Sequence, residues 1–168
     1  DLNALLGGIS PDRVGSVLWG IDASANQTSR RVYSQFMDHE ISVEAMAVGQ
    51  VLDLGGGIQL EVLALEEKGA LFWLTWERFS MLVPAGKVGK AWLQAPHPPE
   101  ILLLPEDVSM EDFPLGTITD WSPAAILLPL EPADQPLEGE HELVQMLEDY
   151  PLITTLDHGW VMVSTDGA

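Results

Sequence analysis

The chain has no cysteine among its 168 residues, which excludes disulfide bridges, thiolate metal sites and cysteine nucleophiles together. It is also poor in cations: 7 Lys and Arg stand against 26 Asp and Glu, for a formal net charge of -19. Nucleic-acid phosphates are bound by cations that displace counterions, so a surface of this sign repels them. The few basic residues are scattered apart from Arg30-Arg31, and direct nucleic-acid binding is not expected. No apolar run approaches the roughly 20 residues of a membrane-spanning helix, and no signal-peptide pattern is present. The chain opens on Asp1 rather than Met, as expected for a piece of something longer. What is abundant is apolar. With 46% hydrophobic and 20% charged residues, the chain is no disordered segment, and residues 1–168 suit a single domain with its own core.

Short apolar runs punctuated by Gly and Pro dominate. Leu2 to Leu6 before Gly7-Gly8 predicts a short helix with a glycine stop. Arg13 to Trp19 predicts a strand. A helix capped by Thr28 or Ser29 is expected to run to about His39, with Val32, Phe36 and Tyr33 inward. Strands follow at Val43–Met46, Val51–Leu54 and Ile58–Leu65, the last two turned at Gly55-Gly56-Gly57. No Lys-Ser/Thr or helix follows those glycines, so they are no phosphate loop. Ala70–Trp76 and Phe79–Val83 read as a hairpin around Glu77-Arg78. Trp73 and Trp76 lie three apart in one strand and so face opposite ways. Gln94 to Glu100 is a proline-rich connection. Ile101–Leu104 and Ala124–Leu130 are apolar throughout, as strands buried on both faces are. The loop Glu131 to Gly139 leads to a helix over Glu140–Asp149 with Leu143, Met146 and Leu147 on one side. A terminal strand pair, Leu152–Leu156 and Trp160–Thr165, is expected to turn at Asp157-His158-Gly159. Strands alternating with helices argue an α/β fold with a mixed sheet.

The course through Gly49 to Leu65, the hairpin ending in Pro84-Ala85-Gly86-Lys87, and the closing Thr155-Leu156-Asp157-His158-Gly159 and Thr165-Asp166-Gly167 form a pattern. It resembles the metallo-β-lactamase-like domain at the extracytoplasmic end of the competence DNA-uptake (ComEC) family. The opening LNALLGGISPDRVGSVLWG is similar to the helix and strand after that family's first metal motif. The resemblance covers nearly the whole chain as pattern, and implies a partial metallo-β-lactamase sandwich. In the family, a His-x-His-x-Asp-His loop helps build a two-metal site that activates water for phosphodiester cleavage. That loop is absent. The family's Gly-Asp falls at Gly86-Lys87, its His-His-Gly turn at Glu106-Asp107-Val108, and its last His-Pro motif has only His141, between Glu140 and Glu142, as a relic. These departures imply a catalytically silent relative, with no cofactor.

Beside the resemblance stand weaker candidates. Glu106, Asp107, Glu111 and Asp112 follow a buried strand at the end where α/β sheets place ligand crevices. Such carboxylates could hold Ca²⁺ or Mg²⁺, although a solvated loop is the plainer expectation in a chain acidic throughout. Asp107, Asp120 and His141 are the residues left to ligate a metal. His39, His97 and His158 lack ligand spacing, and the serines lack a nucleophile elbow. Lys87, if the resemblance fixes its place, would set an ammonium where the metals were and pair with Glu106 or Asp107.

The expectation is therefore a silent soluble domain with a structural or interaction role, at the extracytoplasmic face of a bacterial membrane. Its partner would be the membrane-embedded channel part of the same polypeptide. One alternative is a Zn- or Mn-dependent phosphodiesterase acting on DNA, whose first ligand loop lies outside this sequence. Another is an acidic module that binds cations or a basic partner. A truncated sandwich would also leave an open sheet edge, which favours a homodimer.

Overall fold

A computed structural model describes residues 8–20, 27–105, 108, 115–129, 144–155 and 161–165. They fall into two compact units, Asp1–Ala47 and Val48–Ala168. The expected helix at Leu2–Leu6, the loop at 131–139 and the turn at 157–159 lie outside the described residues.

In the first unit, β1 (Ser16–Trp19), α1 (Gln27–Asp38) and β2 (Ser42–Ala45) follow in order, and β1 pairs with β2 in parallel from Ser16↔Ser42 to Trp19↔Ala45. Parallel neighbours need a crossover, and α1 supplies it. Arg13, expected in the first strand, instead closes a 3₁₀ turn over Pro11–Arg13, because Pro11 presets the helical φ. Phe36 and Ile41 form the centre of a small core with Val14, Val17, Trp19, Val32 and Val43 around them. Trp19 meets Tyr33 and Phe36 edge-on at 6.2 and 5.7 Å. Its buried indole N–H has no hydrogen-bond partner among the described residues.

Helix α1 ends in a left-handed cap. The N–H of Ile41 donates to the Phe36 carbonyl at 2.9 Å and that of Glu40 to Met37 at 3.1 Å, while Phe36 and Ile41 pack together. This is the double hydrogen bond with apolar contact of a Schellman motif. Glu40 holds its left-handed position at φ 56°, where glycine would sit without strain.

The second unit is built on a seven-stranded sheet in sequence order, β3 to β9. Strands β3 (Val51–Gly55), β4 (Ile58–Glu66), β5 (Gly69–Trp76) and β6 (Phe79–Gly86) form an antiparallel meander. Strands β7 (Ile101–Leu103), β8 (Ala125–Leu128) and β9 (Leu152–Thr154) continue from β6 in parallel. The mixed α/β sheet expected from the sequence is thus present. A 3₁₀ segment, Gly89–Gln94, connects β6 to β7, and α2 (Leu115–Trp121) connects β7 to β8. Neither segment is anticipated by the sequence patterns.

Alternation sorts the sheet into two apolar faces. One row runs Trp73↔Leu82↔Leu102↔Ile126↔Leu152 across five strands. It joins Trp92 of the 3₁₀ segment, Ile118 of α2 and Leu147 in the main core. Trp73 is 4% exposed and Trp92 1%. The next row, Leu60↔Leu74↔Met81↔Ile101↔Ala125, faces the other way. Trp73 and Trp76 therefore point apart, as parity requires.

Strand β4 departs from strict alternation. Its register shifts between Val62 and Ala64, a bulge that leaves Val62, Leu63 and Ala64 all buried. Two other expectations need correcting. Val144–Met146 is helical, but Leu147 is fully buried while Met146 is exposed, so the two do not share a face. The terminal strand pair does not form: Leu152–Thr154 pairs in parallel with β8 instead, and 161–165 is not a strand. A parallel edge already flanked by apolar β8 buries Leu152 better than a free hairpin would.

Two stability tests follow from this packing. Leu102→Ala removes a fully buried side chain from the central row and is expected to destabilise by about 2–5 kcal/mol in urea unfolding. Glu40→Gly relieves the left-handed cap and is expected to raise stability by about 0.5–1 kcal/mol in the same assay.

Candidate functional site

Strands β6 to β9 run parallel, so their C-terminal ends lie along one edge of the sheet. That edge is where open α/β sheets hold ligands. Gly86 closes β6 there, and Lys87 follows it.

The backbone explains Gly86. It has φ 79° and pairs with Gly69 of β5, and a Cβ on it would collide with the Lys68 carbonyl oxygen. On Gly69 a Cβ would lie 2.5 Å from the Lys87 oxygen and 2.7 Å from that of Ala85. Two backbones thus pass too closely for side chains, and the Lys87 N–H donates to the Lys68 carbonyl at 3.2 Å. Gly69, which the sequence patterns did not single out, is the other half of this contact. Its signal was a glycine just after the Glu67-Lys68 turn. Beyond it, Val88 is buried and Lys87 is exposed.

Of the other candidates that are described, Asp120 lies elsewhere. Asp120 is exposed near the end of α2. Four residues later, the Ala124 N–H donates to the Glu100 carbonyl at 2.8 Å, at the start of β7. Asp120 therefore sits toward the N-terminal ends of β7 and β8, at the opposite edge from Gly86. Glu106, Asp107, Glu111, Asp112, His141 and His158 lie outside the described residues, and so does the proposed pairing of Lys87 with Glu106 or Asp107. His97 meets Trp73 edge-on at 4.7 Å and its Nδ1 is 3.1 Å from the Pro98 carbonyl, so its ring packs against the hairpin. His39 is exposed at the end of α1. Among the described residues, no three His, Asp or Glu side chains come together to hold a metal ion, and no helix is long and apolar enough to cross a membrane.

No family model matches this chain, and no curated protein matches it.

The close approach predicts opposite sensitivities at adjacent positions. Gly86→Ala is expected to destabilise by about 1–3 kcal/mol, whereas Lys87→Ala should stay within about 1 kcal/mol of the parent. Urea midpoints for the two variants check this.

Proposed function

We propose that the chain is a catalytically silent, metallo-β-lactamase-like domain of a competence or DNA-internalisation protein. In this reading its role is structural, as an interaction module on the membrane-embedded channel of the same polypeptide, at the extracytoplasmic face. The observation that carries the reading is Lys87. It leaves the end of β6, directly after Gly86, where the resembled family places a metal-binding carboxylate. An ammonium there opposes a dication rather than ligating it. The mixed sheet, with its hairpin feeding a parallel half, is compatible with the sandwich this reading requires. The chain's strong acidity supports a role that leaves nucleic acid to other parts of the parent protein.

Calorimetric titration of metal-free protein with Mn²⁺ and Zn²⁺, alongside a nuclease assay on single-stranded DNA, tests the reading. Neither stoichiometric binding nor cleavage is expected, in the parent or in Lys87→Asp, because one restored carboxylate does not rebuild a two-metal site. Tight stoichiometric binding accompanied by cleavage would overturn it in favour of a metal-dependent phosphodiesterase.

A further inference from the structure

The sheet of the larger unit carries an apolar pocket between Ile58, Trp76, Phe79 and Val163, and no charged side chain lines it. The first unit carries an opening of the other kind. It has a volume of about 640 Å³ and is lined by Gln27, Arg30, Arg31 and Ser34 of α1. Helical spacing explains why these four gather. They are separated by three, one and three residues, so they share one face. On the inner side Ser29 and Phe36 are buried and Val32 and Tyr33 half-buried, which leaves Gln27, Arg30, Arg31 and Ser34 exposed. Packing of Phe36 in the small core thus fixes the side on which the two guanidiniums stand.

The chain's composition sets this pair apart. There are 7 Lys and Arg against 26 Asp and Glu, yet neither guanidinium has an ion-pair partner among the described residues. The acid of α1 is Asp38, about two turns beyond Arg31. Residues 1–47 hold three of the seven cations but six of the 26 acids. The first unit therefore repels an anion far less than the rest of the chain does.

We propose that Arg30 and Arg31 bind a phosphate group, with Ser34 and Gln27 completing its hydrogen bonds. The donors select the ligand. One guanidinium fork already satisfies a carboxylate in a bidentate pair, and a second arginine beside it finds little left to bond. A phosphate offers more acceptor oxygens and more negative charge, which two guanidiniums, a hydroxyl and a carboxamide match. The Ser34 hydroxyl donates to the Arg31 carbonyl at 3.2 Å, a local bond that rotation of the hydroxyl exchanges for a phosphate oxygen. Charge also sets the ligand's size. An extended polyanion brings many phosphates against a chain of net charge -19. A single phosphate meets only the local field, because salt screens exposed charges beyond about 8–10 Å. The site shares no residue with the reading built on Lys87 and goes beyond it.

Inorganic phosphate is titrated into the full 168-residue chain and followed by backbone amide NMR. Sedimentation with phosphatidylcholine vesicles, with and without phosphatidic acid, forms a second arm. The amides from Gln27 to Ser34 are expected to shift and saturate in the millimolar range, as two charge-assisted contacts support. A response to inorganic phosphate assigns the site to a soluble phosphate compound, and binding to phosphatidic acid vesicles alone assigns it to a lipid headgroup. Arg30→Gln and Arg31→Gln should each weaken binding about tenfold or more. Arg13→Gln removes the same charge from an exposed position outside the opening and should stay within about twofold. Urea midpoints close to the parent's verify that these exposed substitutions leave the fold intact. Acetate should bind at least about tenfold more weakly than phosphate.

Failure of both arms would overturn the proposal. So would affinity that is unchanged in Arg30→Gln and Arg31→Gln, or that falls equally in Arg13→Gln. Acetate binding as tight as phosphate would overturn the ligand class. A single-stranded oligonucleotide held more tightly through the same arginines would put a polyanion in place of the lone phosphate and overturn it too.

Discussion

Backbone hydrogen bonding on both edges of β6 is the constraint on which the larger unit depends. Along one edge β6 pairs antiparallel with β5 over its whole length, from Trp76↔Phe79 to Gly69↔Gly86. Along the other it accepts β7 in parallel at Met81 and Leu82. The antiparallel meander and the parallel half meet only there. A strand bonded on both edges must present apolar side chains to both faces or leave one face wet. Phe79, Leu82 and Val83 meet that demand, and the tight two-residue turn Glu77-Arg78 starts the strand. The connection leaving β6 is equally determined, because a parallel neighbour cannot be reached by a hairpin. The chain instead passes through Val88, Ala91 and Trp92, whose burial turns the crossover into a lid on the core.

Most of this was legible in the sequence wherever period and punctuation agreed. The hairpin at Glu77-Arg78, the glycine turn at Gly55–Gly57 and the opposed tryptophans follow from alternation and turn chemistry alone. The all-apolar runs around Ile101 and Ala125 were equally plain, because a strand covered on both faces has no polar positions to lose. The illegible parts share a physical reason: each is decided by tertiary contact. Val62 to Leu65 is apolar throughout, and such a run does not say where the bulge between Val62 and Ala64 falls. Helix α2 is too short to show periodicity, and Ile118 is a fully buried anchor within it. The Leu152 strand was recognisable as a strand, yet its partner was not, since local pattern does not distinguish a hairpin mate from a parallel neighbour.

The candidate site was less legible than the fold. Gly86 and Lys87 could be placed from the hairpin, because the end of a strand fixes an edge of the sheet. Asp120 could not. Its distance in sequence from Lys87 says nothing about which edge it occupies, and the return of the chain through α2 carries it to the opposite one. Trp76 was noted for its parity alone. The pocket it helps to form depends on Val163, far along the chain, and on rows that only the register reveals.

Gly86 and Lys87 carry unequal weight in deciding what the domain does. A glycine at the end of β6 invites comparison with a metal-binding turn, yet its left-handed φ and the Lys68 carbonyl beside it already require it. Its presence therefore tells the same story whether or not a metal was ever bound. The next residue is under no such demand. Lys87 contributes its N–H to the Lys68 carbonyl, which any residue but proline supplies, and its side chain is exposed. The close approach thus fixes the glycine, whereas the backbone contact to Lys68 does not itself select the following side chain. In the proposed reading Lys87 is therefore the more informative of the two, because its sign is opposite to what a dication requires. In a chain so heavily acidic, a cation at the ligand edge of the sheet is also the rarer choice by composition. That is why the functional reading hangs on Lys87 rather than on the glycine that makes its position recognisable.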